Sequence, residues 1–250
     1  MAKYTDFQNV IKNKATQFRK DYGYGETDPI RLDSFLLKNN VLTLYKSLSG
    51  NLAGMAIKAG DDNRFIMVNH NHSIGKQHFT IAHELYHLFI QENFTSQRCI
   101  TGLFEGQKDI EEWKADFFAA NLLLPELGVF ELIPEKELET KNGITLETVF
   151  KIQQYFSVSV DAVTFRLWSL GWADKSLFES CKQLSKRRYA RILGYDTALY
   201  QNGNTDKVIG DYGRLAKALY DSEKISESYY YELVSAVNID FLTDDGAEDE

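Results

Sequence analysis

The first forty residues place apolar side chains at helical spacing. Phe7, Val10, Ile11 and Phe18 recur with the period of one helix face, and the turn-forming stretch "DYGYGETDP" follows them. This pattern predicts a first helix that ends near Tyr22 and a second, short helix around residues 31–38.

Between residues 41 and 70 the pattern changes to short runs that are typical of strands. The runs are "VLTLYK" (41–46), "LAGMAIKA" (52–59) and "RFIMVNH" (64–70), and they are separated by "SLSGN" and "GDDN". Turn residues between short apolar runs favour hairpins. We therefore expect a small antiparallel three-stranded sheet, built as a meander.

From residue 75 onwards the period becomes helical again. One helix carries "FTIAHELYHLFI" (79–90), and "DIEEWKADFFAANLLLP" (109–125) predicts an almost wholly buried helix stopped by Pro125. Segment 144–172 predicts two amphipathic helices, with Ser159 or Asp161 as the cap between them. Further helices are expected at 174–193 and 212–239, with a loop between them.

The stretch "FTIAHELYHLFI" places two histidines and a glutamate inside an apolar run, where ionisable groups are costly. In a helix, His83 and His87 lie about 40° apart around the axis and about 6 Å apart along one face. That spacing suits one zinc ion held by imidazole nitrogens. Glu84 projects from the adjacent face and can reach a zinc-bound water without binding the metal. It would therefore act as the general base.

A catalytic zinc site needs a third protein ligand, which should lie on a second helix. Glu112 and Asp116 share one helical face, so Glu112 can bind zinc while Asp116 accepts the free imidazole N–H of a ligand histidine. Glu111 lies on a different face. A competing pair with the same spacing is Glu105 and Asp109, but a glycine interrupts that segment and no apolar run buries it.

These motifs resemble those of the ImmA/IrrE family of bacterial and mobile-element metallopeptidases. The family pairs F-T-x-A-H-E-x-x-H with E-x-x-A-[ND]-x-F-A-A-x-L-L-x-P, as in "FTIAHELYHLF" and "EEWKADFFAANLLLP" here. "FSVSVDAVTFRLWSLGW" is similar to a third family segment, so the resemblance covers roughly residues 1–172. It implies zinc ligands His83, His87 and Glu112, the base Glu84, and a supporting role for Asp116 behind a ligand.

Two positions depart from the family pattern. Tyr86 stands where the family usually has glycine, and His78 stands where an arginine commonly precedes F-T. Tyr86 would either narrow the approach to the metal or pack on a neighbouring element. Both residues are candidate oxyanion or substrate contacts, as are His70 and His72 by their chemistry alone.

The fold class that follows is α+β, with a small antiparallel three-stranded sheet packed with zincin-like active-site helices and an all-helical C-terminal region. The expected organisation is a metallopeptidase domain at 1–172, a helical accessory region at 173–243 and a disordered acidic tail at 244–250.

Composition narrows the partners. The chain has 250 residues, a formal net charge of −8 and two cysteines. The charge argues against direct nucleic-acid binding or an anionic membrane surface, and two cysteines are too few for a disulfide framework. The N-terminus does not read as a secretory signal, and no run of about eighteen apolar residues offers a membrane span. A cytoplasmic protein is expected.

The resemblance also implies a function. Members of the family are known for cutting a single transcriptional repressor, often encoded beside them, and an acidic chain can dock a basic repressor. We therefore expect a site-specific regulatory protease acting on a helix-turn-helix repressor. The alternative is a non-catalytic zinc-containing binding protein, such as a component of a toxin-antitoxin pair. A structural zinc site, however, does not need the Glu84 carboxylate.

Overall fold

The structure is a computed structural model that describes residues 5–60, 62–94, 96–99, 109–140 and 142–237. Its strands are β1 (Val41–Lys46), β2 (Gly54–Ala59), β3 (Asn63–Asn69), β4 (Ser96–Cys99) and β5 (Val208–Ile209). Its helices are α1 (Thr5–Asp21), α2 (Leu32–Lys38), α3 (Ile74–Phe89), α4 (Ile110–Leu123), α5 (Glu126–Leu132), α6 (Glu135–Leu138), α7 (Leu146–Phe156), α8 (Val160–Ser169), α9 (Lys175–Gln183), α10 (Lys186–Ile192), α11 (Tyr212–Asp221) and α12 (Glu227–Ser235).

The α+β class is confirmed, but the expected three-stranded antiparallel meander is wrong. The strands form one mixed sheet in the order β4-β2-β3-β1-β5, in which four strands have four or more residues and β5 has two. β2 and β3 form the expected antiparallel hairpin, whereas β1 pairs with β3 in parallel, with Val41 opposite Arg64. β4 extends the sheet beyond β2, and β5 extends it beyond β1.

Strands β1 and β2 follow each other in the chain, but β3 lies between them in the sheet. A buried asparagine supports the short loop that connects them. Asn69, at the end of β3, is 2 % exposed. Its Nδ2 donates to Leu48 O at 3.2 Å and to Leu52 O at 2.8 Å, and its Oδ1 accepts from Leu48 N at 3.3 Å. These bonds satisfy the backbone of the segment between β1 and β2, which can then cross the end of β3 instead of forming a tight turn.

Helix α3 lies against β2, β3 and α4, and α4 also packs on α1. Both helices carry their apolar residues into one core, and every residue of α4 from Ala115 to Leu123 is buried, as its composition predicts. α4 ends at Leu123, and Pro125 then becomes the N-cap of α5. Ser159 is the cap of α8, where its side chain accepts from Ala162 N at 3.2 Å.

The C-terminal region is mostly helical, but the expectation that it is all helical is wrong. Its strand β5 pairs with β1, and Ser73 forms a bridge with Asn202 just before α3. The predicted helix at 174–193 is two helices, and this break allows Cys181 and Ala190 both to be fully buried in the main core. Residues 173–209 therefore contribute to the same core as α3 and α4, through Ala173, Cys181, Ala190 and Ile209.

Some of the predicted features lie outside the described residues, and one concerns the described helices. The acidic tail at 244–250 and Glu105 lie outside the described residues. Among the helices that the structure describes, none has both the length and the apolar character needed to cross a membrane.

Candidate metal centre

Helix α3 brings the two motif histidines together at its buried face. His83 and His87 are both fully buried, and their Nε2 atoms lie 3.1 Å apart. The four-residue spacing places the two rings on adjacent turns, with ring centroids 5.0 Å apart. The pair was predicted from the sequence alone, and the structure places it where the packing of α3 on α4 excludes water.

The first turn of α4 supplies a carboxylate to the same point. Glu112 Oε2 lies 3.3 Å from His83 Nε2, and its Oε1 lies 3.4 Å from His87 Nε2. One donor atom from each of the three residues lies within 4.8 Å of the others. Burial raises the pKa of the Glu112 carboxyl, but when the two imidazoles are protonated and donate to it, they outweigh burial and hold that pKa well below its ordinary value.

The hydrogen bonds at the far side of each imidazole fix which nitrogen faces this point. His83 Nδ1 lies 2.8 Å from Asp116 Oδ1, and His87 Nδ1 lies 2.5 Å from Gln91 Oε1. Both partners are oxygen acceptors, so each neutral ring carries its proton on Nδ1. The Nε2 lone pairs of both rings then face each other and the Glu112 carboxylate.

Such an arrangement fits a bound cation. Two imidazole lone pairs and a carboxylate that converge without a proton between them repel one another, and a divalent metal ion turns that repulsion into coordination. His83, His87 and Glu112 are the residues that could hold it. Asp116 and Gln91 would orient the imidazoles from behind.

Gln91 was not among the residues that the sequence analysis weighed. It lies four positions after His87, and the same helical spacing that suggested the metal ligands could have identified it. Asp116 was predicted for the equivalent contact, and the structure places its carboxylate on His83.

Glu84 lies on α3 beside His83 and is fully buried. Strand β2 passes close to it at Gly54, where a Cβ atom would lie 3.1 Å from Glu84 Oε1 and 2.6 Å from Thr80 Cγ2. A glycine inside a strand often marks such a close approach. That signal could have identified Gly54, which the sequence analysis did not consider.

Tyr86 contacts the first turn of α4. Its side chain is buried, and its hydroxyl donates to Glu111 Oε2 at 2.7 Å, while Lys114 Nζ donates to Glu111 Oε1 at 2.6 Å. Burial and the bond to Glu111 both raise the pKa of the Tyr86 hydroxyl. The sequence allowed Tyr86 either to narrow the approach to the metal or to pack on a neighbouring element. The structure shows the second arrangement, with a hydrogen bond to α4. A role in contacting substrate stays a prediction.

The other histidine candidates lie outside this group. His78 is about 140° around the axis of α3 from His83, and its Nδ1 lies 2.7 Å from the backbone oxygen of Ser157. His70 and His72 lie between β3 and α3, where their backbone oxygens accept from Gln77 Nε2. The structure does not bring these three rings to the metal-binding group.

A helix that carries H-E-x-x-H, packed on a second helix that supplies a carboxylate, defines a class of metal-dependent hydrolase site. Residues 40–168 match the model of the peptidase M78 family, described as the IrrE N-terminal-like domain. The chain belongs to this peptidase family, which confirms the resemblance found in its motifs. A comparison with curated proteins finds no match.

Proposed function

We propose that this protein is a zinc-dependent endopeptidase whose ligands are His83, His87 and Glu112. The observation that carries the proposal is the convergence of two deprotonated Nε2 atoms and one carboxylate at a single point. Zinc is the metal that best suits two imidazoles and one carboxylate with a fourth position left for water or substrate. Membership of a peptidase family supports peptide-bond hydrolysis as the reaction.

The chemistry divides between the metal and one side chain. When bound, zinc supplies Lewis-acid chemistry, which acidifies water and polarises a peptide carbonyl. Glu84 takes the proton from the attacking water and returns it to the leaving amine. Its neighbours support this role, because Gly54 leaves space for the carboxylate beside β2. Glu112 side-chain exposure is 13 %, compared with 0 % for both histidines, so the approach to the group lies on the Glu112 side.

The proposed substrate is a helix-turn-helix transcriptional repressor that is cut at one site. The family resemblance supports this class of substrate, and the net charge of −8 suits docking of a basic DNA-binding protein. Residues 1–172 would form the metallopeptidase domain, and the region from residue 173 would recognise substrate or restrain activity. Such a protease would work in the cytoplasm, where its repressor is found.

The test compares protein N-termini in cells of the source organism that express the wild type, Glu84→Gln or Glu92→Gln. Glu92 is an exposed glutamate just after α3 and provides a matched control. We expect one or two new N-termini with the wild type and with Glu92→Gln, above all in a helix-turn-helix repressor. Glu84→Gln should lose them while keeping its zinc.

Identical N-termini in all three strains, under resting and stress conditions and with zinc bound, would contradict catalysis by Glu84. The non-catalytic binding protein would then be the better interpretation. Cleavage of proteins other than a repressor would keep the peptidase and reject only the substrate.

A further inference from the structure

A cavity of about 370 Å³ lies at the opposite end of α4 from Glu112. It is bounded by α1, by the C-terminal end of α4, by the start of α5 and by Arg166 of α8. Nine residues separate Glu112 from Asn121 on its wall, which corresponds to about 14 Å along a helix axis. The cavity is therefore distinct from the metal-binding group, and the proposed function does not use it.

Two buried arginines line this cavity, and their hydrogen bonds differ. Both are 2 % exposed. Arg19 is saturated by backbone oxygens: Nη1 donates to Leu122 O at 2.5 Å, and Nε and Nη2 donate to Gly25 O at 2.9 and 2.6 Å. A further bond joins its Nη2 to Asp28 O. These bonds hold the end of α4 against α1 and explain Arg19 as a structural residue.

Arg166 has fewer partners. Within the described residues, its guanidinium makes one hydrogen bond, from Nε to Leu124 O at 2.8 Å, and no carboxylate lies within ion-pair distance. Burial lowers the pKa of Arg166 to about 10, so the group is still charged at neutral pH. A buried cation normally has an anionic partner. The two terminal nitrogens of Arg166 are thus free to donate to one.

The rest of the wall shows what kind of anion would fit. Asn121 is 5 % exposed, its Nδ2 donates to Phe117 O at 2.7 Å, and within the described chain its Oδ1 has no hydrogen-bond partner. The mouth is apolar, with Leu127 and Phe130 each about half exposed and the Phe130 ring 6.0 Å from the Trp172 ring. One cavity is therefore lined by a cation that can donate hydrogen bonds to an anion, by an amide oxygen that can accept one, and by an apolar wall.

The charges at the cavity favour an anion overall. Its cations are Lys12, Arg19 and Arg166, and its carboxylates are Glu26 and Glu126. Glu126 forms an ion pair with Lys12, and Glu26 lies 3.6 Å from Lys20. Both carboxylates thus have a lysine partner, and although the charge of Glu126 also acts on Arg166, no described carboxylate lies within ion-pair distance of its guanidinium. Arg166 is therefore the cation that a ligand would meet.

We propose that this cavity binds a carboxylate that carries an amide N–H and an apolar side chain. The carboxylate accepts from Arg166, the amide N–H donates to Asn121 Oδ1, and the apolar group packs against Phe130 and Trp172 at the mouth. This is the chemistry of an N-acylated apolar amino acid. It is equally that of the last residue of a polypeptide.

Calorimetric titration with N-acetyl-L-phenylalanine tests the proposal on the full chain. We expect saturable binding of one molecule per chain, and at least about tenfold weaker binding of N-acetyl-L-phenylalanine amide, which lacks the carboxylate. Because carboxylates also bind zinc, the titration is repeated after a chelator has removed the metal. Binding should be unchanged. A peptide that ends in phenylalanine identifies the source, since tighter binding than the free amino acid derivative indicates a polypeptide C-terminus.

Variants locate the binding site. Arg166→Gln should abolish binding, but it could also unfold the chain, so Phe130→Glu provides an independent test at an exposed position. It places a negative charge at the mouth and should weaken binding at least about tenfold. Ile192→Glu, at a residue that is 69 % exposed and outside the cavity, is the matched control and should change affinity less than about twofold. Absence of saturation by about 10 mM, equal binding of the amide, loss of binding on chelation, or equal effects of the two glutamate variants would overturn the proposal.

Discussion

Helices α3 and α11 are both amphipathic but have very different surroundings. α3 buries most of its apolar residues and four ionisable ones, His83, Glu84, Tyr86 and His87. α11 buries only Ala216 within its span and leaves Leu215 and Leu219 exposed. Burying a charged or polar side chain is costly unless it gains a partner. The comparison teaches that buried ionisable groups, rather than amphipathicity, identify the chemistry of this chain.

Removal of one proposed metal ligand from α3 should have the largest effect. We expect His83→Ala to lose zinc almost completely, because the ion would keep only one imidazole and one carboxylate. Proteolysis should disappear with it. Metal content by mass spectrometry checks the result, and His70→Ala, at a ring outside the group, should keep about one zinc per chain.

Substitution of Asp116, which contacts the far side of the His83 ring, should have a smaller effect on zinc binding. Asp116→Asn keeps the size of the side chain but weakens the bond that orients His83, so zinc affinity should fall about 10- to 100-fold. Competition with a fluorescent chelator measures the affinity. Asp33→Asn, on the exposed side of α2, is the control. Equal affinities in both variants would mean that Asp116 does not support the metal.

A change in the strand beside α3 should mainly affect stability. Gly54→Ala places a methyl group 2.6 Å from Thr80 Cγ2 and 3.1 Å from Glu84 Oε1, so β2 or α3 must shift. We expect a loss of about 1–3 kcal/mol in the free energy of unfolding, measured by urea denaturation. Unchanged stability would show that the close approach of β2 to α3 is not tight.

The smallest effect is expected on α11. Leu219→Ser exposes no new core and should change the free energy of unfolding by less than about 0.5 kcal/mol, with zinc binding unaffected. The same urea titration measures it. A loss as large as that of Gly54→Ala would show that α11 is covered by something outside the described residues.

The sequence revealed the site more completely than the sheet. The proximity of His83 and His87 follows from local helical spacing, which does not depend on the rest of the fold. Glu112 was preferred to Glu105 because an apolar run buries its helix and because the family motif matches there. Strand pairing is non-local, and the sequence of the strand itself does not predict three of the pairings. β1 pairs with β3 because Asn69 supports the crossing loop, β4 is a four-residue strand of largely polar sequence, and β5 has two residues.

The difference between local and non-local contacts also matters within the candidate metal centre. Gln91 and Gly54 were missed although each has a recognisable signal, because a glutamine after a helix and a glycine in a strand are common for other reasons. The contact between Tyr86 and Glu111 depends on how α3 meets α4. Helical spacing alone could not choose between a packed tyrosine and one that faces the metal.

X-ray absorption at the zinc edge on the purified full chain would show whether His83, His87 and Glu112 hold zinc. We expect one zinc ion per chain, coordinated by two imidazole nitrogens and by oxygen at about 2.0 Å, and loss of that signal in Glu112→Ala. A chain that binds no zinc, or one whose zinc keeps the same coordination in Glu112→Ala, would contradict the central claim that His83, His87 and Glu112 hold the metal.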